Sequence, residues 1–232
     1  MKHDGFITRL NALLKANAVE APPGPPPDLM ELLIHSFMLW EASTAQADAA
    51  MAKIRNAAVD FNEFRVCLVN EVIEVIGPRY PRAHERSVRV RAALNDLFRR
   101  EHKVSLERAV NLPKRDAKAF IDGLQGMVPF VAARVAVMGL QTHAVPVDEN
   151  TLGALVAAGV FHPETTLADA TSWLQRHIHA DRALESHLAL QRAVDQWLAK
   201  GARKPAAKPA PKPAAEKGRK AARPAAARKA PR

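Results

Sequence analysis

The sequence predicts an all-α fold, and three observations carry that prediction. Aromatic residues are scarce at 5% while apolar residues reach 48%, and the abundance of Ala and Leu favours helix over strand. Apolar residues recur at three- and four-residue spacing along most of the chain. Between those segments stand Pro, Gly, Asp, Asn and Ser, at the places where helices start and stop. A chain of 232 residues suits one domain with a real core plus an appendage.

Residues 5–17 carry Phe6, Ile7, Leu10, Leu13 and Leu14 at helical spacing, and the run Pro22-Pro23-Gly24-Pro25-Pro26-Pro27 then forces an extended connector. Asp28 is a good N-cap for an apolar helix over 29–41, and Ser43 or Thr44 can cap an Ala-rich helix to about residue 58. Asn62 is placed to cap a helix over 63–76, which ends at Gly77-Pro78. A helix runs from about His84 to Arg100, with Val88, Ala92, Leu94, Leu97 and Phe98 as its apolar positions, and Ser105 opens a short helix to Val110. Pro113 suits the first position of the next helix, through Phe120 and Ile121 to Asp122, where its missing amide proton costs nothing. The turn Gly123-Leu124-Gln125-Gly126-Met127-Val128-Pro129 leads into an apolar helix over 130–140. After Val145-Pro146-Val147, Asp148 caps a helix to Ala158. Helices near 166–178 and 181–199 follow, the last burying Leu190, Val194, Trp197 and Leu198.

The net charge of +10 is not spread evenly. Twelve Lys and Arg stand against one acid, Glu216, between residues 200 and 232, so this segment carries +11 and residues 1–199 carry −1. Beyond Gly201 only Ala, Pro, Lys, Arg, Gly and one Glu occur. Such a segment has nothing to bury and repels itself, so it is expected to be disordered, like the tails of linker-histone-like proteins. The expected organisation is an N-terminal helix and Pro-rich connector over 1–27, a helical domain over 28–199 and a basic tail over 200–232.

One cysteine, Cys67, excludes an intramolecular disulfide and any four-cysteine metal or iron–sulfur site. It sits in Val66-Cys67-Leu68-Val69, where a small buried thiol is expected rather than a nucleophile. No signal-like apolar stretch follows the first residues and no run reaches membrane-spanning length, so a cytoplasmic protein without a membrane partner is expected.

The segment 113–151 combines a helix, a tight glycine turn, a second helix and an apolar Pro-Val-Asp that opens a third. This resembles the helix-hairpin-helix and following aspartate of the endonuclease III superfamily of DNA glycosylases, and residues 29–48 and 62–100 resemble its earlier helices. The likeness covers roughly 28–199 and implies a two-lobed helical fold. Physically, a glycine turn between helices exposes backbone amides at the positive end of a helix dipole, which can hold a phosphate without side-chain charge. The resemblance assigns this anchor to Gly126, Met127 and Val128. Val128 replaces the second turn glycine, and a β-branched residue tolerates positive φ poorly. Lys114 and Lys118, with Arg115, could flank the phosphate backbone, and Lys204, Lys208 and Lys212 of the tail would add sequence-independent contacts.

The resemblance gives Asp148 the chemistry: a carboxylate that stabilises the sugar cation as a base departs. Asp148-Glu149-Asn150-Thr151 is equally a good helix start, and the two roles can coexist. Bifunctional members carry a lysine just after the hairpin, and here Phe130 stands at that place, so a strand-cleaving lyase step is not expected. A glutamine that fills the gap left by an extruded base corresponds to Ala42, which is too short for the task. The absent cysteines rule out an iron–sulfur cluster as cofactor, and none other is implied.

Other candidates have plainer readings. His177 and His179 point to different helix faces and, with His187, lack a completing ligand, so no metal site is assigned. Trp40, Trp173 and Trp197 lie among apolar neighbours, Trp40 alone near the expected cleft, where its indole could stack on a base. Arg82, Arg86, Arg89, Arg91, Arg99 and Arg100 make a basic helix, expected to be a solvated face paired with Glu85 and Asp96. The sequence therefore points to a double-stranded DNA binder of the glycosylase superfamily, nucleoid-associated, serving base-excision repair and at most a monofunctional glycosylase. A noncatalytic architectural or damage-sensing binder is the alternative. A second is a protein-interaction module anchored to the nucleoid by its tail.

Overall fold

The computed structural model describes residues 4–20 and 24–201, so the tail with Lys204, Lys208 and Lys212 lies outside the described residues. Among the described residues there are helices and no strands. The helices are α1 Asp4–Ala16, α2 Leu29–Leu39, α3 Thr44–Ala57, α4 Phe61–Val66, α5 Val69–Ile76, α6 Ala83–Glu101, α7 Glu107–Asn111, α8 Lys114–Asp122, α9 Pro129–Met138, α10 Glu149–Ala157, α11 Leu167–His177 and α12 Ala183–Ala199. No helix among the described residues is long and apolar enough to cross a membrane.

Two hydrophobic cores divide them into two lobes. The first core draws on residues between Leu29 and Val135, in α2 to the first half of α9. The second takes Leu10 and Leu14 of α1, Ala136 and Val137 of α9, the segment around Val145 and Val147, and the inner faces of α10, α11 and α12. The chain thus begins in the second lobe, builds the first and returns along α9, which belongs to both. Arg9 of α1 donates to the Gly159 carbonyl at 2.7 Å, and Arg192 of α12 donates to the Ala18 carbonyl at 3.3 Å.

Caps at three helix starts fall where the sequence places them. Asp28 accepts from the amides of Met30 and Glu31 at 2.9 Å each. Ser43 forms a reciprocal capping box with Gln46, and Asp148 caps α10. Elsewhere the structure corrects the sequence. The helix expected over 63–76 is two helices, broken at Cys67 and Leu68, and the first is capped by Asp60 rather than Asn62. Each has its own acidic anchor: Glu63 takes the Val59 amide and Glu71 the Leu68 amide, both at 2.6 Å. The second anchor starts a new helix inside the apolar run, which turns Val66 and Leu68 outward and leaves Cys67 half-buried. Burial, followed by the charges of Glu71 and Glu63, raises the Cys67 thiol above its ordinary pKa, which suits an inert sulfur.

In α6 Val88 and Phe98 are exposed, while the inner face holds Val90, Leu94 and Leu97 together with Arg86 and Asp96. The solvated basic face is therefore interrupted by one buried arginine. Arg86 donates to the carbonyls of Pro81 and Trp40, which replaces much of its hydration. Pro113 stands one residue before α8, and it is Pro129 that takes a first helical position, in α9.

Candidate nucleic-acid interface

The hairpin of α8, the turn 123–128 and α9 is fastened to α6. The Asp96 carboxylate accepts the Gln125 amide at 3.0 Å, and Arg100 donates to the Gly123 carbonyl at 2.6 Å. Gly126 has φ +74, and a Cβ there would meet the Arg89 carbonyl at 2.6 Å, so both the backbone conformation and the close approach require glycine. Val128 is different. Its φ of −111 and ψ of 137 are ordinary extended values, so this turn never asks for a second glycine. Val128 is buried, and Pro129 after it has no amide to offer. Among the described residues no acceptor takes the amides of Val128, Phe130 or Val131, which head α9 at its positive end. Met127 and Lys118 border a groove of about 720 Å³ that runs to α11. Lys114 reaches the Gln141 carbonyl at 3.0 Å, and Lys118 is paired with Asp122 at 2.5 Å.

Asp148 lies where the lobes meet. One carboxylate oxygen accepts from the Thr151 amide and hydroxyl, both at 2.8 Å, and the other accepts from the Glu41 amide at 2.7 Å. The residue is 5% exposed. Burial raises its pKa, the repulsion of Glu41 adds to that, and the donated hydrogen bonds oppose it. Phe130 is 3% exposed and packs in the first core.

The turn between α2 and α3 presents Glu41, not Ala42, to Asp148; Ala42 is buried. Nothing local in the sequence marks Glu41, whose partner lies 107 residues away. Glu41 has φ 52 and an ion pair with Arg82 at 2.9 Å. Trp40 is also buried, with the guanidinium groups of Arg82, Arg86 and Arg89 5.0, 5.6 and 5.7 Å from its ring centre, so its face is occupied. A further carboxylate escaped notice. Asp195 of α12 accepts from the Thr44 amide at 2.9 Å and the Thr44 hydroxyl at 2.7 Å. Nothing local in the sequence marks it.

Of the remaining candidates, His177 stacks on Trp173 with centroids 4.0 Å apart, and His187 is buried in α12. No group of three His, Cys, Asp or Glu that could hold a metal ion occurs among the described residues. A four-cysteine cluster does not fit a chain with one cysteine.

A two-lobed helical body with a helix-hairpin-helix and an aspartate-capped helix at the lobe junction defines the fold of the helix-hairpin-helix DNA glycosylases. Solved structures bear this out. The 8-oxoguanine glycosylase/lyase of Clostridium acetobutylicum, in complex with double-stranded DNA containing cytosine opposite 8-oxoguanine, is similar at TM-score 0.59 and 14% identity, covering 87% of this chain and 72% of that one. A trapped endonuclease III–DNA covalent intermediate matches at TM-score 0.59 and 12% identity, covering 82% and 85%. A thermostable thymine-DNA glycosylase matches at TM-score 0.53 and 13% identity, covering 83% and 85%. No protein-family model matches the sequence, and no curated protein matches it.

Proposed function

We propose that this protein binds duplex DNA through its hairpin and basic C-terminal segment, and that it uses the glycosylase fold without glycosylase chemistry. The state of Asp148 carries the second half of this reading. A carboxylate that is to face a sugar cation or orient a water needs an open oxygen, and both oxygens of Asp148 are engaged by groups of the protein itself. The buried Phe130 supplies no amine for a lyase step. DNA binding is supported by the unpaired amides at the head of α9, by the +11 charge of residues 200–232, and by the DNA present in two of the similar structures. Anchoring of this kind positions a protein on the backbone and reads no sequence. The protein would then reside on the nucleoid, in the cytoplasm.

The position of Asp148 at a helix start on the lobe junction favours a second reading, a monofunctional glycosylase in which this residue is the catalytic carboxylate. Duplexes carrying uracil, oxidised, alkylated or mismatched bases, incubated with the full chain and then treated with alkali, separate the two. Salt-sensitive binding without strand breaks on any duplex is expected. Breaks that disappear in Asp148→Asn would establish the enzyme instead.

A further inference from the structure

The turn joining α2 to α3 is held from two lobes at once. From the second lobe Asp148 takes the Glu41 amide, and Asp195 takes both the amide and hydroxyl of Thr44. From the first, Glu41 pairs with Arg82 at 2.9 Å, Arg82 with Glu85 at 2.7 Å, and Glu85 with Arg89 at 2.9 Å. This chain of charges ends beside the hairpin, since the Arg89 carbonyl lies against Gly126. Two of its guanidinium groups face the Trp40 ring. Glu41 and Arg82 both have left-handed backbones, at φ 52 and 51. Such conformations persist only where the surroundings fix them.

A nucleotide swung out of a duplex must enter a pocket and have something take its place in the stack. At this turn Ala42 and Trp40 are 2% and 7% exposed, and Phe130 fills the neighbouring core. Lifting the turn would take the Glu41 amide from Asp148 and both Thr44 donors from Asp195, and would break the charge chain. Resting on the reading that the protein binds DNA, we infer that its ligand is a duplex whose bases all stay stacked. The turn is a closure between lobes, with Glu41, Thr44 and Arg82 as its positioning residues and Asp148 and Asp195 as its anchors.

The test uses the full chain and fluorescein-labelled duplexes holding 2-aminopurine at the centre, paired with thymine, mispaired with cytosine, or facing an abasic site. Anisotropy reports binding, and 2-aminopurine emission rises when the base leaves the stack. The expected result is a full anisotropy transition with emission at the level of the free duplex in all three. A several-fold rise in emission at saturation, even in the mispaired duplex alone, would overturn the inference and leave the DNA-binding reading standing. No anisotropy change at low salt on any duplex would overturn that reading, and the inference with it.

Discussion

At the scale of single residues, Asp148 joins two lobes by one carboxylate. Replacing it with alanine removes a helix cap, about 1 kcal/mol, and leaves the buried Glu41 amide without an acceptor, about 1–3 kcal/mol. Urea denaturation of Asp148→Ala should therefore show a loss of about 2–4 kcal/mol. The cap was legible in Asp148-Glu149-Asn150-Thr151. The tie to Glu41 was not, because its partner is 107 residues away in sequence. His187 offers a second test. Burial, helped by the charge of Arg134, pushes its imidazole down to about 3. The unfolded chain takes up this proton near the ordinary 6.5, so the folded state binds fewer protons below that pH. Its neutral burial costs nothing above about pH 6.5, and stability then falls by about 1.4 kcal/mol per unit as the pH drops toward 3. Between pH 7 and 5 the site should cost about 2 kcal/mol, and His187→Leu should remove that part of the slope. His35, also lowered chiefly by burial, acts in the same sense.

At the scale of elements, the hairpin depends on one glycine. Gly126→Ala would force a side chain into a left-handed backbone, about 1–2 kcal/mol, and against the Arg89 carbonyl. It is expected to loosen the hairpin from α6 and to weaken DNA binding more than it lowers the thermal midpoint, which anisotropy and calorimetry together would show. Val128→Gly should bring no gain in affinity, because Val128 already has ordinary φ and ψ. The helix-turn-helix pattern here was readable from Gly126 and Pro129. The break at Cys67 and Leu68 was hidden because four apolar residues in a row carry no phase, and the decisive group, Glu71, restarts the helix from three residues further on. The inward turn of Arg86 was equally hidden, since its acceptors are carbonyls of Trp40 and Pro81.

For the whole molecule, the charge division is expected to govern the proposed DNA binding. If the basic segment and hairpin together neutralise about six to ten phosphates, affinity should fall by about 10³ to 10⁵ between about 50 and 200 mM salt. Deleting residues 202–232 should flatten that salt dependence while leaving residual binding by the helical body. Complete loss would point to a body that does not touch DNA. The asymmetry between a body of charge −1 and a segment of +11 was fully legible in composition. The two lobes were implied by the resemblance; the place of α1 in the second of them was not legible, since it depends on α1 packing against α12 at the far end of the chain.

The sharing of α9 between both cores has a mechanical meaning. The unpaired amides after the hairpin turn head a helix whose Phe130 and Val131 are set in one lobe and whose Ala136 and Val137 are set in the other. A pull on the hairpin by a bound strand is therefore transmitted along the helix axis into both lobes. Neither lobe can let go of α9 without exposing its own core, so the backbone amides of its second half should exchange with deuterium only through global unfolding.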